Sequence, residues 1–192
     1  ALGIANYGQR KFGEAVDAFL RTADLAPKIE QPYVFLGRII SHAEGRLGEI
    51  TEKFASFARA NPKNYLGHFL HAKGLIAQMG PSPSVELADQ AERLLKKSIL
   101  LNPMFWEAEF ELGVLLEGKK DFAAAARHLE RAIQLSPKTP EPHYRLARVY
   151  DRLGKAEAAQ AERVQHEKLT TEERTAIENH AAGLKRLELV VK

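Results

Sequence analysis

The chain has 192 residues, of which 45% are hydrophobic and 28% charged, with 13 Gly, 9 Pro and no Cys. This composition is typical of folded domains and excludes disordered, collagen-like and disulfide-stapled proteins, and the absence of Cys removes thiol catalysis and thiolate metal sites. The net charge of +3 is too small to indicate a nucleic-acid-binding protein. We find no targeting signal and no apolar run that predicts membrane insertion, so a cytoplasmic location is favoured over a periplasmic one.

Prolines divide the chain into stretches that each have room for helices, and none of these stretches carries a strand pattern. A large residue followed by a small one recurs nine residues after four of the prolines, and a fifth pair opens the chain. Successive pairs are separated by 34, 35, 41 and 34 residues. The five pairs are Leu2-Gly3, Leu36-Gly37, His71-Ala72, Leu112-Gly113 and Leu146-Ala147.

A second series lies twelve residues before the same four prolines and is followed, one helical turn later, by a large apolar residue. The series is Ala15, Ile50, Ala91 and Ala125, and the large residues are Phe19, Phe54, Leu95 and Leu129. Small residues let two helices pack closely, the large residues form an apolar stripe, and proline ends each unit. The spacing therefore predicts consecutive helical hairpins. In the last unit Ala159 keeps the series, but Arg163 interrupts the stripe and Thr171 stands at the proline position.

This pattern resembles the tetratricopeptide repeat, a helix-turn-helix unit of about 34 residues. The resemblance is most complete over residues 104–137, where eight positions fall on the family pattern. It implies an all-α fold, a right-handed α-solenoid of about five hairpins with a C-terminal capping helix. The expected boundaries are a repeat array over residues 1–169, with units 1–29, 30–64, 65–105, 106–139 and 140–169, and a capping helix over residues 170–192.

The two ends of the chain carry different signals. Thr170 and Glu173 have the spacing of a capping box, and Ile177, Ala181, Leu184 and Val191 continue a helical period, which predicts a separate closing helix. Leu2-Gly3 enters the first helix midway, so we expect a truncated first unit and a fragment of a larger protein. Self-association through this uncapped N-terminal face is one expected interaction. An expanded loop around Pro81 and Pro83 is predicted to be a tolerated surface insertion.

Three patterns with chemical meaning are better explained by helices. Residues 113–120 have phosphate-loop spacing, but Lys120 stands where Mg²⁺ binding requires Ser or Thr, and no strand precedes them. His166 begins a zinc-protease pattern that lacks its second His. His68 and His71 are spaced to hold a metal, but His71 occupies a position that is Leu in the other units. We expect no catalytic residue, no metal and no cofactor.

The first helix of each hairpin has a side that faces away from its partner helix, which we term the first-helix face. In tetratricopeptide proteins this face lines a concave groove that holds a peptide or helix of a partner, a role implied here by the resemblance. One lane is apolar or aromatic and comprises Val34, Phe69, Phe110 and Tyr144. The other lane is basic at Arg38, Lys73 and Arg148, is interrupted by Val114, and is bordered by His42 and Arg152.

These lanes predict a noncatalytic protein-protein interaction scaffold whose partner is acidic with apolar anchors. The alternative explanation is that the aromatic lane packs between adjacent first helices and the basic lane is a solvated surface. Two other functions stay open: an oligomerisation or assembly segment, and a substrate-presenting arm of a larger, enzymatic protein. Chaperone binding is not supported because the asparagines of that subset of the family are missing.

Overall fold

The computed structural model describes residues 2–43, 45–80 and 84–190, and it describes side chains up to residue 180. Over these ranges all the regular elements are helical and there is no strand. The helices are α1 (Leu2–Gly8), α2 (Phe12–Leu25), α3 (Gln31–Ile39), α4 (Leu47–Ala60), α5 (Tyr65–Gln78), α6 (Val85–Leu101), α7 (Trp106–Gly118), α8 (Phe122–Leu135), α9 (Pro140–Arg152) and α10 (Ala156–Val190), with a short 3-10 helix (Ile40–His42) after α3. They divide into two compact units, Ala1–Leu115 and Leu116–Lys192, with the division inside α7.

The first unit is built from helices that pack in sequence. Helix α1 packs on α2, α2 on α3, α4 on α5 and α5 on α6, and α3 also packs on α5. The predicted small and large repeat positions form its core: Ala15, Phe19, Ile50, Phe54, Ala91 and Leu95 are all buried. Their burial confirms the amphipathic pattern, since each of these helices hides one apolar face against its neighbours.

The second unit follows the same plan, with α8 packed on α9 and α9 packed on α10. Ala125, Leu129 and Ala159 are fully buried at the predicted repeat positions. A polar link joins α9 to α10, because Nδ1 of the buried His143 lies 2.6 Å from Oε2 of Glu162. The hairpin pattern predicted for this region is therefore present, and the exact unit boundaries stay predictions.

The turns between the two helices of a hairpin use the left-handed backbone region. Arg10 and Lys120 have φ values of 59° and 64°, and Gly154 has 72° in the corresponding turn of the last hairpin. Residues other than glycine adopt this region at a cost of about 1 to 2 kcal/mol. The tight hairpin connection thus imposes this conformation whether or not glycine is present. Pro81 and Pro83 lie outside the described residues.

Helix α10 continues through the predicted boundary at residue 170. Helices α2, α4, α6 and α8 each end two residues before a proline, whereas Thr171 occupies that position in α10 and allows the helix to continue. The Thr170 hydroxyl donates to the His166 carbonyl at 2.8 Å, so the predicted capping box with Glu173 is wrong. Residues 170–180 are all exposed.

A capping contact by the end of α10 is not seen up to residue 180, where Ile177 remains 63% exposed. The side chains of Ala181, Leu184 and Val191, which the sequence pattern assigned to the same contact, lie outside the described residues. Helix α10 therefore continues as one long second helix of the fifth hairpin, and a closing role for residues 170–192 stays a prediction.

Candidate partner-binding surfaces

The first-helix face of α3 carries Val34 and Arg38, and the 3-10 helix that follows carries His42. Val34 is half-buried, while Arg38 and His42 are exposed. The Arg38 guanidinium carbon lies 5.6 Å from the centroid of the Phe35 ring, and Arg38 forms no ion pair with any described residue. An aromatic ring at this distance attracts the cation and orients it. Arg38 is thus an exposed cation that the Phe35 ring orients and that no described carboxylate neutralises.

Aromatic side chains beneath Arg38 form a cluster that the sequence analysis missed. The Phe35 ring stacks on Phe19 with centroids 4.9 Å apart, and Tyr7 meets Phe35 edge-on at 5.8 Å. The ring of Phe12 lies 4.2 Å from that of His42. The recurrence of aromatic residues in three successive helices was the available signal, but it spans two hairpins and follows no single helical period.

The lane continues in the first unit with residues on α5 and α7. Phe69 is only 7% exposed and packs edge-on against Phe105 at 4.9 Å. This burial matches the alternative explanation for the aromatic lane, and we remove Phe69 from the candidate surface. Lys73 and Phe110 are half-buried. Burial raises the pKa of Glu107, and the nearby charge of Lys73 partly opposes this shift.

In the second unit the candidate residues on α9 are more accessible. Tyr144 is 48% exposed, and the Arg148 guanidinium carbon lies 5.9 Å from its ring centroid. Arg148 also lies 3.1 Å from the carboxylate of Glu117, which Arg145 contacts at 3.3 Å. Arg152 is exposed and forms no ion pair with a described residue. Arg152 and the Tyr144 ring are therefore available to a partner, whereas Arg148 is accessible but paired with Glu117.

A cavity of about 560 Å³ opens between α9 and α10 in the second unit, and we call it the end cleft. Its floor includes Tyr144, whose ring centroid lies 5.5 Å from that of His166. Only two of its residues, Tyr144 and Arg148, were predicted, because all the others except Ala147 come from α10. The end cleft is lined by Tyr144, Ala147, Arg148, Arg163, His166, Glu167, Thr170, Thr171 and Arg174.

The patterns that suggested other chemistry lie in ordinary helical positions. Residues 113–118 are part of α7, so they do not form a phosphate-binding loop. Among the described residues no group of three or more His, Asp or Glu side chains is arranged to hold a metal. Likewise, no described helix has the length and apolar character needed to cross a bilayer.

His71 is half-buried on α5 rather than fully enclosed. Burial and the charge of Arg59 lower its pKa, while Glu52 partly opposes them. Its neighbour His68 holds the Pro62 carbonyl at 2.9 Å through Nε2. His71 is therefore partly enclosed by the protein, and His68 is bound to the turn before α5. This agrees with the prediction that His71 replaces a core leucine.

Comparisons with known proteins agree with this architecture. Residues 116–162 match the family model described as tetratricopeptide repeat. The structure is similar to that of TTC0263, a thermophilic TPR protein from Thermus thermophilus, with a TM-score of 0.74, 20% identity and 95% of each chain covered. It is also similar to MamA from Desulfovibrio magneticus RS-1, with a TM-score of 0.67, 14% identity and coverage of 88% of this chain and 92% of that one. A sequence comparison with curated proteins gives no match.

The helical hairpins, their repeat positions and these similarities define an all-α solenoid of helix-turn-helix units, which confirms the predicted fold class. The matched segment covers α8, α9 and the start of α10. Residues 116–162 therefore carry a tetratricopeptide repeat, as the sequence pattern indicated.

Proposed function

We propose that this chain is a noncatalytic protein-interaction scaffold that binds a peptide or helix of a partner on its first-helix face. The fold supports this function, because stacked hairpins present one helix of each pair along an extended surface. The observation that carries the proposal is Arg38, which is exposed, lies over the Phe35 ring and forms no ion pair with any described residue. The proposed contact residues are Val34, Arg38, His42, Lys73, Phe110, Tyr144, Arg148 and Arg152.

The chemistry of these residues favours an acidic partner segment with apolar anchors. A guanidinium group binds a carboxylate through two parallel hydrogen bonds, and half-exposed aromatic rings bury apolar side chains. Tyr144 with Arg148 combines both features in one helix, with 5.9 Å between the cation and the ring centroid. Residues of this chemistry are present in each of the two units.

Charge reversal tests the proposal. The variant Arg38→Glu, Lys73→Glu, Arg148→Glu is compared with the wild type in affinity capture with crosslinking from the native host. A matched control reverses three exposed cations on second helices, Arg93, Lys97 and Arg131, and so has the same net charge.

We expect captured partners to be lost with the first variant and kept with the control, while circular dichroism shows that both remain folded. If both variants capture the same proteins as the wild type, binding on the first-helix face is refuted. Loss with both would show that only net charge matters.

A second candidate function is self-association through the N-terminal face. A cavity of about 410 Å³ lies there between α1, α2 and α3 and is lined by Leu2, Ile4, Phe19, Ile29 and Phe35, among others. Leu2 and Ile4 are 66% and 52% exposed, and apolar patches of this kind favour contact with another protein surface. Sedimentation equilibrium should show a mass that rises with concentration and that falls to the monomer value in Leu2→Glu, Ile4→Glu.

A further inference from the structure

In the first unit, the first helix of one hairpin fits against both helices of the hairpin before it. A Cβ atom added to Gly37 of α3 would lie 2.5 Å from Leu70 Cδ2 of α5. A Cβ atom added to Gly67 of α5 would lie 3.1 Å from the Ala58 Cα atom of α4. Helix α5 is therefore seated in the cleft between α3 and α4, and small residues on both sides allow this close approach.

The residues that line the end cleft stand at the positions of the fifth hairpin that correspond to the cleft between α3 and α4 in the second hairpin. Ala147 corresponds to Gly37, and Arg163, His166 and Glu167 correspond to Phe54, Phe57 and Ala58. Phe54, Phe57 and Ala58 are buried in the first unit, whereas the side chain of Arg163 is 47% exposed. Within the part of the second unit that the structure describes, no helix fills this seat, and its lining is polar instead of apolar.

We propose that the end cleft binds an acidic amphipathic helix supplied by a partner protein. This inference rests on the proposed function in that the chain binds proteins, and the end cleft shares Tyr144 and Arg148 with the first-helix face but is otherwise formed by other residues. The occupant is a helix because the cleft repeats the seat that α5 fills in the first unit. It is acidic because the lining carries three arginines against one carboxylate, Glu167.

The cations of the end cleft are available for such a helix. Arg174 forms no ion pair with any described residue. Arg148 shares Glu117 with Arg145, so Arg148 can turn to a partner carboxylate and leave Glu117 paired. Arg163 contacts Asp151 at the rim, where solvent weakens the ion pair. Tyr144 and Ala147 supply the apolar floor for the middle of the helix.

A binding measurement with two synthetic peptides tests this inference. Both have the α5 sequence, residues 65–78, held helical by a crosslink on the solvent side because a free helix of this length is marginal in water. One peptide carries His68→Glu and His71→Glu, and the other carries Lys at the same two positions. Dissociation constants are measured by fluorescence anisotropy with the intact chain.

We expect the acidic peptide to bind at least about tenfold more tightly than the basic one. Arg174→Glu should weaken that binding by about tenfold, and the same effect is expected for Arg163→Glu. Arg38→Glu, on the first-helix face, should leave it unchanged. Because Arg174 contacts no described acidic residue, a loss with that variant is not a folding defect, and circular dichroism verifies this.

Equal binding of the two peptides, no binding of the acidic one, or an equal loss with Arg38→Glu would overturn the proposal. A peptide-free dimer that Arg174→Glu dissociates would identify a second copy as the occupant and would also overturn it. Failure here leaves the first-helix face to be judged separately, because Arg38→Glu and Lys73→Glu reverse charges of that face that lie outside the end cleft.

Discussion

Replacing Gly74 with Ala tests how closely α5 packs against α4. The added Cβ atom would lie 2.7 Å from Thr51 Oγ1 and 3.0 Å from Thr51 Cγ2. Thr51 is buried, and its hydroxyl donates to the Leu47 carbonyl at 2.7 Å. The branched side chain has few rotamers on a helix, so it cannot turn away without losing that hydrogen bond.

The two opposing contributions have different sizes. Alanine is favoured over glycine inside a helix by about 1 kcal/mol, whereas overpacking a filled interior costs about 1 to 3 kcal/mol. A separation of 2.7 Å belongs at the upper end of that range, so Gly74→Ala should lower the free energy of unfolding by about 1 to 2 kcal/mol. Gly13→Ala is the matched control, because nothing lies within 4 Å of the added atom. It should raise the free energy of unfolding by about 0.5 kcal/mol.

Urea unfolding followed by circular dichroism gives both values, and a double-mutant cycle with Thr51→Ala assigns the contact. Removing Oγ1 and Cγ2 should make Gly74→Ala about 1 kcal/mol less harmful than in the wild type. If Gly74→Ala stabilises the chain as much as Gly13→Ala does, the described fit between α4 and α5 is wrong.

Three further substitutions give separate tests. Burial and the charge of Arg59 lower the pKa of His71 in the folded state. Below the unfolded value of about 6.5, the unfolded chain therefore binds more protons than the folded chain, and the free energy of unfolding falls as pH decreases. His71→Leu should remove this part of the decline in urea titrations between pH 7.5 and 5.5, both values chosen to be about one unit from 6.5, and an unchanged slope would contradict the assignment. Ala125→Leu should destabilise the fourth hairpin by about 1 to 3 kcal/mol, and a neutral melting temperature would argue against the helix pairing there. Gly154→Ala should cost about 1 kcal/mol because its φ is 72°, and thermal unfolding measures the loss.

The hairpin core was predictable because its signals are local. In α2, α6 and α8 an Ala followed four positions later by a large apolar residue marks the buried side of the second helix, and these positions are buried in both units. The course of α10 was misread because the Thr170 and Glu173 pair resembles a helix start. The decisive signal was the missing proline at Thr171, since a helix continues where nothing stops it.

The candidate surfaces were only partly predictable, because accessibility depends on helices from other hairpins. Phe69 lies on the predicted lane, yet it is buried, and Phe105 from the turn before α7 packs against it. Arg163 was recognised as an interruption of the apolar stripe, but its place in a cleft required knowledge of how α9 and α10 lie together. No pattern within a single helix contains that information.

The polar residues that line the end cleft also disfavour the docking of a further repeat of the same kind. Arg163, His166 and Glu167 stand at positions that are Phe, Phe and Ala in the second hairpin, so another identical module docking there would bury charges without partners. Exchanging the three side chains for Phe, Phe and Ala would turn this hairpin into an extensible end. The number of modules in such an array is then a property encoded by a few side chains, which a protein engineer can rewrite.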